Sequence, residues 1–129
     1  MSHNTIVNRW IEYAKNDLLV AVDLGLQKEY VFRAVLTHCQ QSTEKYLKAY
    51  LLSKNVSIKK THDLVYLNKS CEQIESTFSV LEENLAWLSA VYIESRYPDD
   101  FEDIDKADAE KAIEIATCAE KFILNKIEN

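Results

Sequence analysis

Two residue types that interrupt regular structure are almost absent from this sequence, which contains one glycine and one proline in 129 residues. Glycine loosens the backbone and proline breaks hydrogen-bonded elements, so their scarcity predicts long, uninterrupted elements. In a chain of this length, long elements indicate helices rather than strands. Hydrophobic residues make up 47% and charged residues 28% of the chain. That balance supports a packed core and excludes a disordered chain.

Paired cysteines and long apolar runs are also missing. The three cysteines, at positions 39, 71 and 118, are far apart and include no Cys-x-x-Cys pair, which argues against a zinc site and a disulfide framework. Each lies at a core-like helical spacing and is expected to be buried. The sequence opens with no secretory leader and contains no run of membrane-spanning length. We therefore expect one domain, residues 1–129, in the reducing cytoplasm.

The charge balance is acidic, with a formal net charge of −6. General binding to nucleic acid depends on a basic face that displaces counterions, and the overall sign argues against it. A single nucleotide in a local basic pocket, or a basic partner, remains compatible with this charge.

Hydrophobic periodicity predicts five helical segments. They are expected over residues 6–24 and 30–53, from a cap at Thr61, from a Ser79/Glu82 capping box to the stop imposed by Pro98, and over residues 105–127. Alanines at 109, 112, 116 and 119 give the last segment a narrow face that another helix can approach closely. Short links between long amphipathic helices predict an all-α, up-and-down antiparallel bundle of four to five helices.

The second segment carries the polar residues most relevant to function. His38, Gln41 and Lys45 lie on adjacent turns, where an imidazole, an amide and an ammonium could bind a phosphate or a base edge. Composition alone favours a plainer interpretation, a solvated face on which Glu44 and Lys48 form an ordinary i,i+4 ion pair.

Two further groups are candidates for anion binding. His62 follows two lysines and precedes a helix start, where free backbone N–H groups attract phosphate, although a well-capped helix start explains the pattern equally well. Arg96 and Tyr97 lie where Pro98 ends a helix, so they could stack on a base and bind a phosphate. Equally, Arg96 could bind the last carbonyls of its own helix.

Two acidic features have mainly structural interpretations. The acidic stretch 99–108 lacks the glycine and spacing of a calcium loop, and we expect a solvated turn rather than a metal site. Asp17 lies on the apolar face of the first helix and needs a partner, for which Lys45 and His38 are the expected residues. No residue pattern predicts a metal or another cofactor.

Taken in order, these features resemble the HEPN (higher eukaryote and prokaryote nucleotide-binding) family. The resemblance rests on Trp10, Ala14 and Asp17 in the first helix, His38 and the run 44–49 in the second, then the Lys-Thr-His-Asp-Leu run at 60–64 and Arg-Tyr-Pro at 96–98. It covers nearly the whole chain. It implies a helical bundle that is often a homodimer.

The resemblance also implies three functions. The first is nucleotide binding or partnership with a minimal nucleotidyltransferase, in many cases within a toxin–antitoxin pair. The second is a metal-independent dimeric endoribonuclease, and the third is a non-catalytic dimerisation module. For the first function the expected nucleotide contacts are Lys45, His62, Arg96, Tyr97, His38 and Gln41.

The ribonuclease branch of the family carries an arginine followed after four to six residues by a histidine. Arg33 and His38 fit this spacing, but within one helix they lie about 140° apart around its axis. Arg96 lies where the family places its site, and no histidine follows it within reach. Catalysis is therefore not the favoured function.

Overall fold

A computed structural model describes residues 3–99 and 104–128. Within these residues the chain forms five α-helices and two short 3₁₀ helices, and the all-α class predicted from the sequence is confirmed. The α-helices are α1 (His3–Leu24), α2 (Phe32–Ser53), α3 (Leu64–Glu72), α4 (Glu82–Glu94) and α5 (Lys106–Glu128). The 3₁₀ helices, Glu29–Val31 and Ser76–Leu81, lie directly before α2 and α4.

The direction of each helix follows from its contacts with α2. Lys48 of α2 contacts Trp10 of α1, whereas Lys45 and His38, which come earlier on α2, both contact the later residue Asp17, so the two helices are antiparallel. At the start of α2, Arg33 donates a 2.9 Å hydrogen bond to the carbonyl of Ser95, which directly follows α4, so α4 also runs against α2. The start of α5, at Lys106, lies beside Arg33 at the start of α2, and Tyr46 further along α2 donates a hydrogen bond to Glu120 further along α5. α5 therefore runs in the same direction as α2, which gives the four long helices an up-down-up-down order.

α2 is the central helix of the bundle and is buried on several sides. Tyr46, Leu47 and Tyr50 are inaccessible to solvent or nearly so. Tyr50 packs against Phe78 with ring centroids 4.5 Å apart, and Phe78 packs edge-on against Phe122 of α5 at 5.0 Å. Aromatic pairs in this geometry add to the stabilisation from burial alone. These contacts fix the 3₁₀ helix before α4 against both α2 and α5.

The small residues of α5 explain its close packing. Ala109, Ala112, Ala116 and Ala119 are completely buried, as predicted, and α5 packs mainly against α2. Because an alanine projects only one methyl group, two helix backbones can approach closely along such a face. The predicted alanine face is therefore a core contact of the bundle.

Two helix starts differ from the prediction. Asp63, not Thr61, caps α3, and its carboxylate accepts hydrogen bonds from the backbone N–H groups of Val65 and Tyr66. The predicted Ser79/Glu82 capping box does not form, because Ser79 lies within a 3₁₀ helix and α4 begins at Glu82 without a side-chain cap. The tighter 3₁₀ turn supplies the backbone hydrogen bonds that a capping side chain would otherwise provide.

Two helix ends agree with simple backbone chemistry. Gly25 follows α1 with a φ of +68°, a left-handed conformation that glycine adopts without strain. Asp105 and Asp108 exchange backbone-to-carboxylate hydrogen bonds of 2.8 and 3.2 Å at the start of α5.

Part of the predicted acidic stretch, 100–103, lies outside the described residues. Among the residues described, no cluster of side chains has the make-up of a metal site.

The cysteines follow the prediction at two positions of three. Cys39 and Cys71 are buried, and burial raises the pKa of each thiol to about 12. Cys118 is exposed, which corrects the expectation that all three belong to the core. Its neighbours on α5, Ala116 and Ala119, face the core, and the intervening position points to solvent.

Across the described part of the chain, no helix is both long enough and apolar enough to span a lipid bilayer.

Candidate functional site

A groove of about 390 Å³ runs along one side of α1, where that helix meets α2. Ile6, Arg9, Trp10 and Tyr13 of α1 and Lys45 of α2 line it. Trp10 is half-buried and Tyr13 is 53% exposed. Its walls are therefore mainly aromatic and aliphatic, with two cationic side chains. Concave, largely apolar sites with a few charged groups are typical of small-molecule binding.

Asp17 anchors the polar end of this region. Its carboxylate receives the ammonium of Lys45 in a short ion pair and lies 3.3 Å from Nδ1 of His38. The Asp17 side chain is only 14% exposed, so it needs both partners to offset its desolvation. The two partners expected from the sequence are those present.

Asp17 also determines how His38 can act. A hydrogen bond through Nδ1 fixes the orientation of the imidazole and leaves Nε2 as the second ring nitrogen for another partner. Lys45 keeps its ammonium beside the groove, although its charge is partly neutralised by Asp17. Gln41 lies between His38 and Lys45 along α2 and is half-buried.

A second polar cluster lies directly behind Trp10. Glu44 accepts a 2.9 Å hydrogen bond from Lys48, and each of the two side chains is only 8% exposed. The solvated i,i+4 pair expected from the sequence is therefore a buried ion pair. Lys48 also lies 5.7 Å from the centroid of the Trp10 ring, a cation–π contact. Burial follows because α1 and the chain before α3 cover this part of α2.

His62 completes that second cluster. Its Nδ1 lies 2.8 Å from Glu44, while its backbone carbonyl accepts a 2.8 Å hydrogen bond from the buried amide of Gln40. The imidazole itself is 75% exposed. His62 thus ties the α2–α3 connection to α2. The backbone donors at the start of α3 are already bound by Asp63, so the predicted phosphate position there is occupied by a carboxylate of the chain.

Arg96 and Tyr97 lie elsewhere on the molecule. The guanidinium of Arg96 stacks 5.7 Å above the Tyr92 ring, and Tyr97 is 58% exposed. The Arg33–Ser95 hydrogen bond fixes this end of α4 near the start of α2. Lys45 is twelve residues further along α2, which corresponds to about 18 Å along the helix axis. Within one chain, Lys45 and Arg96 therefore cannot bind the same phosphate group.

The structure brings together some of the residues predicted from the sequence and separates others. Lys45, His38 and Gln41 share the α1–α2 surface, with His62 in the adjoining cluster. In the sequence, Trp10 is recognisable only as a residue of the first helix, and Ile6, Arg9 and Tyr13 carry no signal of a site. Ile6 and Tyr13 are seven residues apart, and Arg9 and Tyr13 four apart, a spacing that places them along one side of a helix.

The Arg33 and His38 side chains do not form one site. Arg33 bonds to the carbonyl of Ser95, whereas His38 bonds to Asp17 of α1. Their sequence spacing fits the ribonuclease pattern, but their side chains reach different helices. This arrangement agrees with the angular separation deduced from the sequence.

Comparisons with known proteins identify the family. The HEPN domain family model matches residues 7–126, almost the entire chain, and this protein belongs to the HEPN family. Its fold is similar to that of an archaeal HEPN homologue solved by crystallography, with a TM-score of 0.67 and 21% sequence identity. That match covers 94% of this chain and 97% of the archaeal chain. No curated protein matches the sequence significantly.

Proposed function

We propose that this HEPN protein binds a nucleotide in the α1–α2 groove. The observation that carries the proposal is the combination of Trp10 and Tyr13 with Lys45 around one cavity. Aromatic rings provide stacking surfaces for a base, and stacking of this kind accepts any base because each has a π-face. An ammonium at the edge of the same cavity provides an electrostatic contact for phosphate.

His38 and Gln41 extend the proposed site along α2. His38, oriented by Asp17, offers Nε2 to a sugar hydroxyl or a phosphate oxygen. Gln41 offers both a donor and an acceptor to a base edge. His62 supports the site from behind by holding Glu44, which in turn positions Lys48 against Trp10. Arg96 and Tyr97 are a separate proposed contact surface, for a longer ligand or a partner.

The binding proposal is tested by titrating the full chain with AMP, ADP, ATP and the guanine equivalents, using calorimetry and thermal stabilisation. A ligand that binds only the folded state raises the melting temperature in a concentration-dependent way. Lys45→Met should weaken binding of the phosphorylated ligands about tenfold or more, the size of one charge-assisted contact. Lys15→Met, an exposed lysine of α1 outside the groove, is the matched control. Equal binding by the two variants would remove Lys45 from the site.

We further propose that the protein acts in the cytoplasm as a homodimer and as the partner of a minimal nucleotidyltransferase, within a toxin–antitoxin pair. Support comes from the outer surface of α1, where Leu19, Val20 and Val22 are 53%, 41% and 52% exposed. Clustered exposed apolar side chains are a feature of protein interaction surfaces. The three unpaired cysteines suit a reducing compartment.

The interaction proposal is tested by sedimentation of the purified chain. Wild type is expected to sediment as a dimer, and Leu19→Glu/Val22→Glu to weaken the association. Val80→Glu, which changes an apolar residue that is 68% exposed and lies away from α1, is the control. A wild-type protein that stays monomeric at high concentration would contradict the homodimer.

A second candidate function is metal-independent cleavage of RNA. The observation in its favour is the Asp17–His38 contact, because a carboxylate-oriented imidazole is a common general base. If this function is correct, purified protein cleaves RNA in EDTA and His38→Gln abolishes the cleavage. Undiminished cleavage by that variant, or no cleavage by wild type, would rule out this role for His38.

A further inference from the structure

The carboxylate of Asp17 serves two basic side chains of α2 at once. Its Oδ2 atom receives the ammonium of Lys45, and its Oδ1 atom lies 3.3 Å from Nδ1 of His38. The side chains of Asp17, Lys45 and His38 are 14%, 24% and 31% exposed. Charges that are this far shielded from water interact more strongly than charges on the open surface. A change of charge on one member of the cluster therefore alters what the other two can do.

His38 is the member of this cluster suited to change its charge. Of the three residue types, histidine alone ordinarily gains or loses a proton between about pH 5 and pH 8. A neutral His38 donates its Nδ1–H to Asp17, and the carboxylate charge is then balanced by Lys45 alone. In the protonated state two cations share the one carboxylate, so less of the charge on Lys45 is neutralised.

This sharing bears on the groove because Lys45 lines it, whereas His38 lies two turns earlier on α2. Fixed charges elsewhere around the groove act alike in both protonation states. The difference between the states therefore comes from the one proton on His38, and it reaches a phosphate in the groove through the ammonium of Lys45.

Other ionisable groups surround this cluster on the neighbouring elements. They are Arg9 and Tyr13 along the groove, the Glu44, Lys48 and His62 side chains of the second cluster, and Glu29, Arg33, Asp105 and Lys106 in a cleft at the starts of α2 and α5. His62 is also a histidine, and its Nδ1 lies 2.8 Å from Glu44. Its contribution to any pH dependence therefore has to be separated from that of His38.

We propose that His38 controls phosphate binding in the α1–α2 groove according to pH, by competing with Lys45 for Asp17. This inference rests on the proposed nucleotide-binding function and adds its regulation. His38 acts here as a positioning residue, because it changes the charge that Lys45 presents and need not contact the phosphate. A phosphorylated ligand binds more tightly on mild acidification, and an uncharged nucleoside does not.

The test is calorimetry of the full chain with adenosine and with 3′,5′-cyclic AMP at about pH 6 and about pH 8. Cyclic AMP is the probe because its phosphodiester keeps a single negative charge across this range. Wild type is expected to bind cyclic AMP about tenfold more tightly at the lower pH, the size of one charge-assisted contact, and to bind adenosine equally at both. Equal or weaker binding of cyclic AMP at the lower pH would overturn the inference. So would binding of neither ligand, and the AMP titration of the preceding subsection then decides the proposed function separately.

Matched variants assign the pH dependence to a residue. His38→Asn can place an amide nitrogen close to the position of Nδ1 but gains no charge, so the pH dependence should disappear. His62→Asn makes the same change at the histidine bound to Glu44 and should keep it. Each protein is compared with itself at the two pH values, so a uniform change in affinity does not affect the result. A pH dependence that survives in His38→Asn would overturn the inference.

Lys45→Met tests whether His38 acts through Lys45. This variant should also lose the pH dependence of cyclic AMP binding, because the ammonium that Asp17 shares is gone. A pH dependence retained in Lys45→Met would show that His38 contacts the phosphate itself, and would overturn the positioning role.

Discussion

Glu44 and Lys48 form an ion pair of 2.9 Å inside the protein, one helical turn apart on α2, with each side chain only 8% exposed. Trp10 covers the ammonium and His62 shares the carboxylate, so the pair connects α1, α2 and the α2–α3 connection. A buried pair adds little net stability compared with well-packed apolar residues, but removal of one partner leaves an uncompensated charge in the interior. The pair is therefore expected to be sensitive to single substitutions and tolerant of a double one.

Glu44→Gln should lower the free energy of unfolding by about 3 kcal/mol, because Lys48 then lacks a counter-charge in a buried position. The double variant Glu44→Gln/Lys48→Met should recover most of this loss, since it removes both charges. Chemical denaturation of the three proteins measures the difference. Glu82→Gln breaks the exposed Lys69–Glu82 pair and serves as the control, with little expected change. A double variant less stable than Glu44→Gln would contradict this account.

Glu75 makes the stability of the protein depend on pH through its ion pair with Lys126 of α5. A hydrogen bond from Lys126 lowers the pKa of Glu75 below its usual value of 4.5, and the two groups lie 2.9 Å apart. A carboxyl whose pKa is lowered on folding stabilises the folded state above its unfolded pKa, and that contribution is lost as the pH falls through the folded value.

The melting temperatures of wild type and Glu75→Gln should therefore differ near neutral pH and converge below about pH 4.5. Thermal unfolding across this pH range provides the measurement. Glu114→Gln, which alters an exposed glutamate of α5, should give no comparable pH-dependent difference. A difference between wild type and Glu75→Gln that grows on acidification would contradict the assigned direction.

In the folded protein, one of the three thiols should react rapidly with a thiol reagent and the other two slowly. Cys118 is exposed, whereas burial suppresses thiolate formation at Cys39 and Cys71, whose pKa values are about 12. A thiol reagent at mildly alkaline pH should label one cysteine rapidly and the other two only on unfolding. Cys118→Ser should abolish the rapid phase. Rapid labelling of more than one thiol in the folded protein would show that the packing around α2 and α3 is looser than described.

The sequence predicted the helices well, because scarce glycine and proline and a clear apolar periodicity are compatible with few secondary structures other than helices. It also predicted the partners of Asp17, since a carboxylate on an apolar face demands a nearby cation. The burial of Glu44 and Lys48 could not be predicted from the sequence. An i,i+4 pair has the same spacing on a solvated face and in an interior, and only the packing of α1 distinguishes them.

The candidate site was only partly predictable for a similar reason. Lys45 and Arg96 both suit phosphate chemistry, but the distance between them depends on how the helices are arranged. The groove depends on the side of α1 that carries Arg9 and Tyr13, which looks like an ordinary exposed face in the sequence. Thr61 does not cap α3, because the carboxylate of Asp63 accepts the hydrogen bonds from the first backbone N–H groups instead. Ser79 does not cap α4, because it lies within the 3₁₀ helix that precedes α4.

Intrinsic fluorescence provides the most direct test of whether a base binds against Trp10. The chain has two tryptophans, and Trp87 lies on α4, where Lys111 of α5 approaches its ring to 4.2 Å. In Trp87→Phe, Trp10 is the only tryptophan, so its emission reports the groove alone. Titration of this variant with AMP should produce a saturable change in emission that Lys45→Met shifts to higher ligand concentration. Unchanged emission up to millimolar AMP, from a variant with the wild-type melting temperature, would contradict nucleotide binding in the α1–α2 groove.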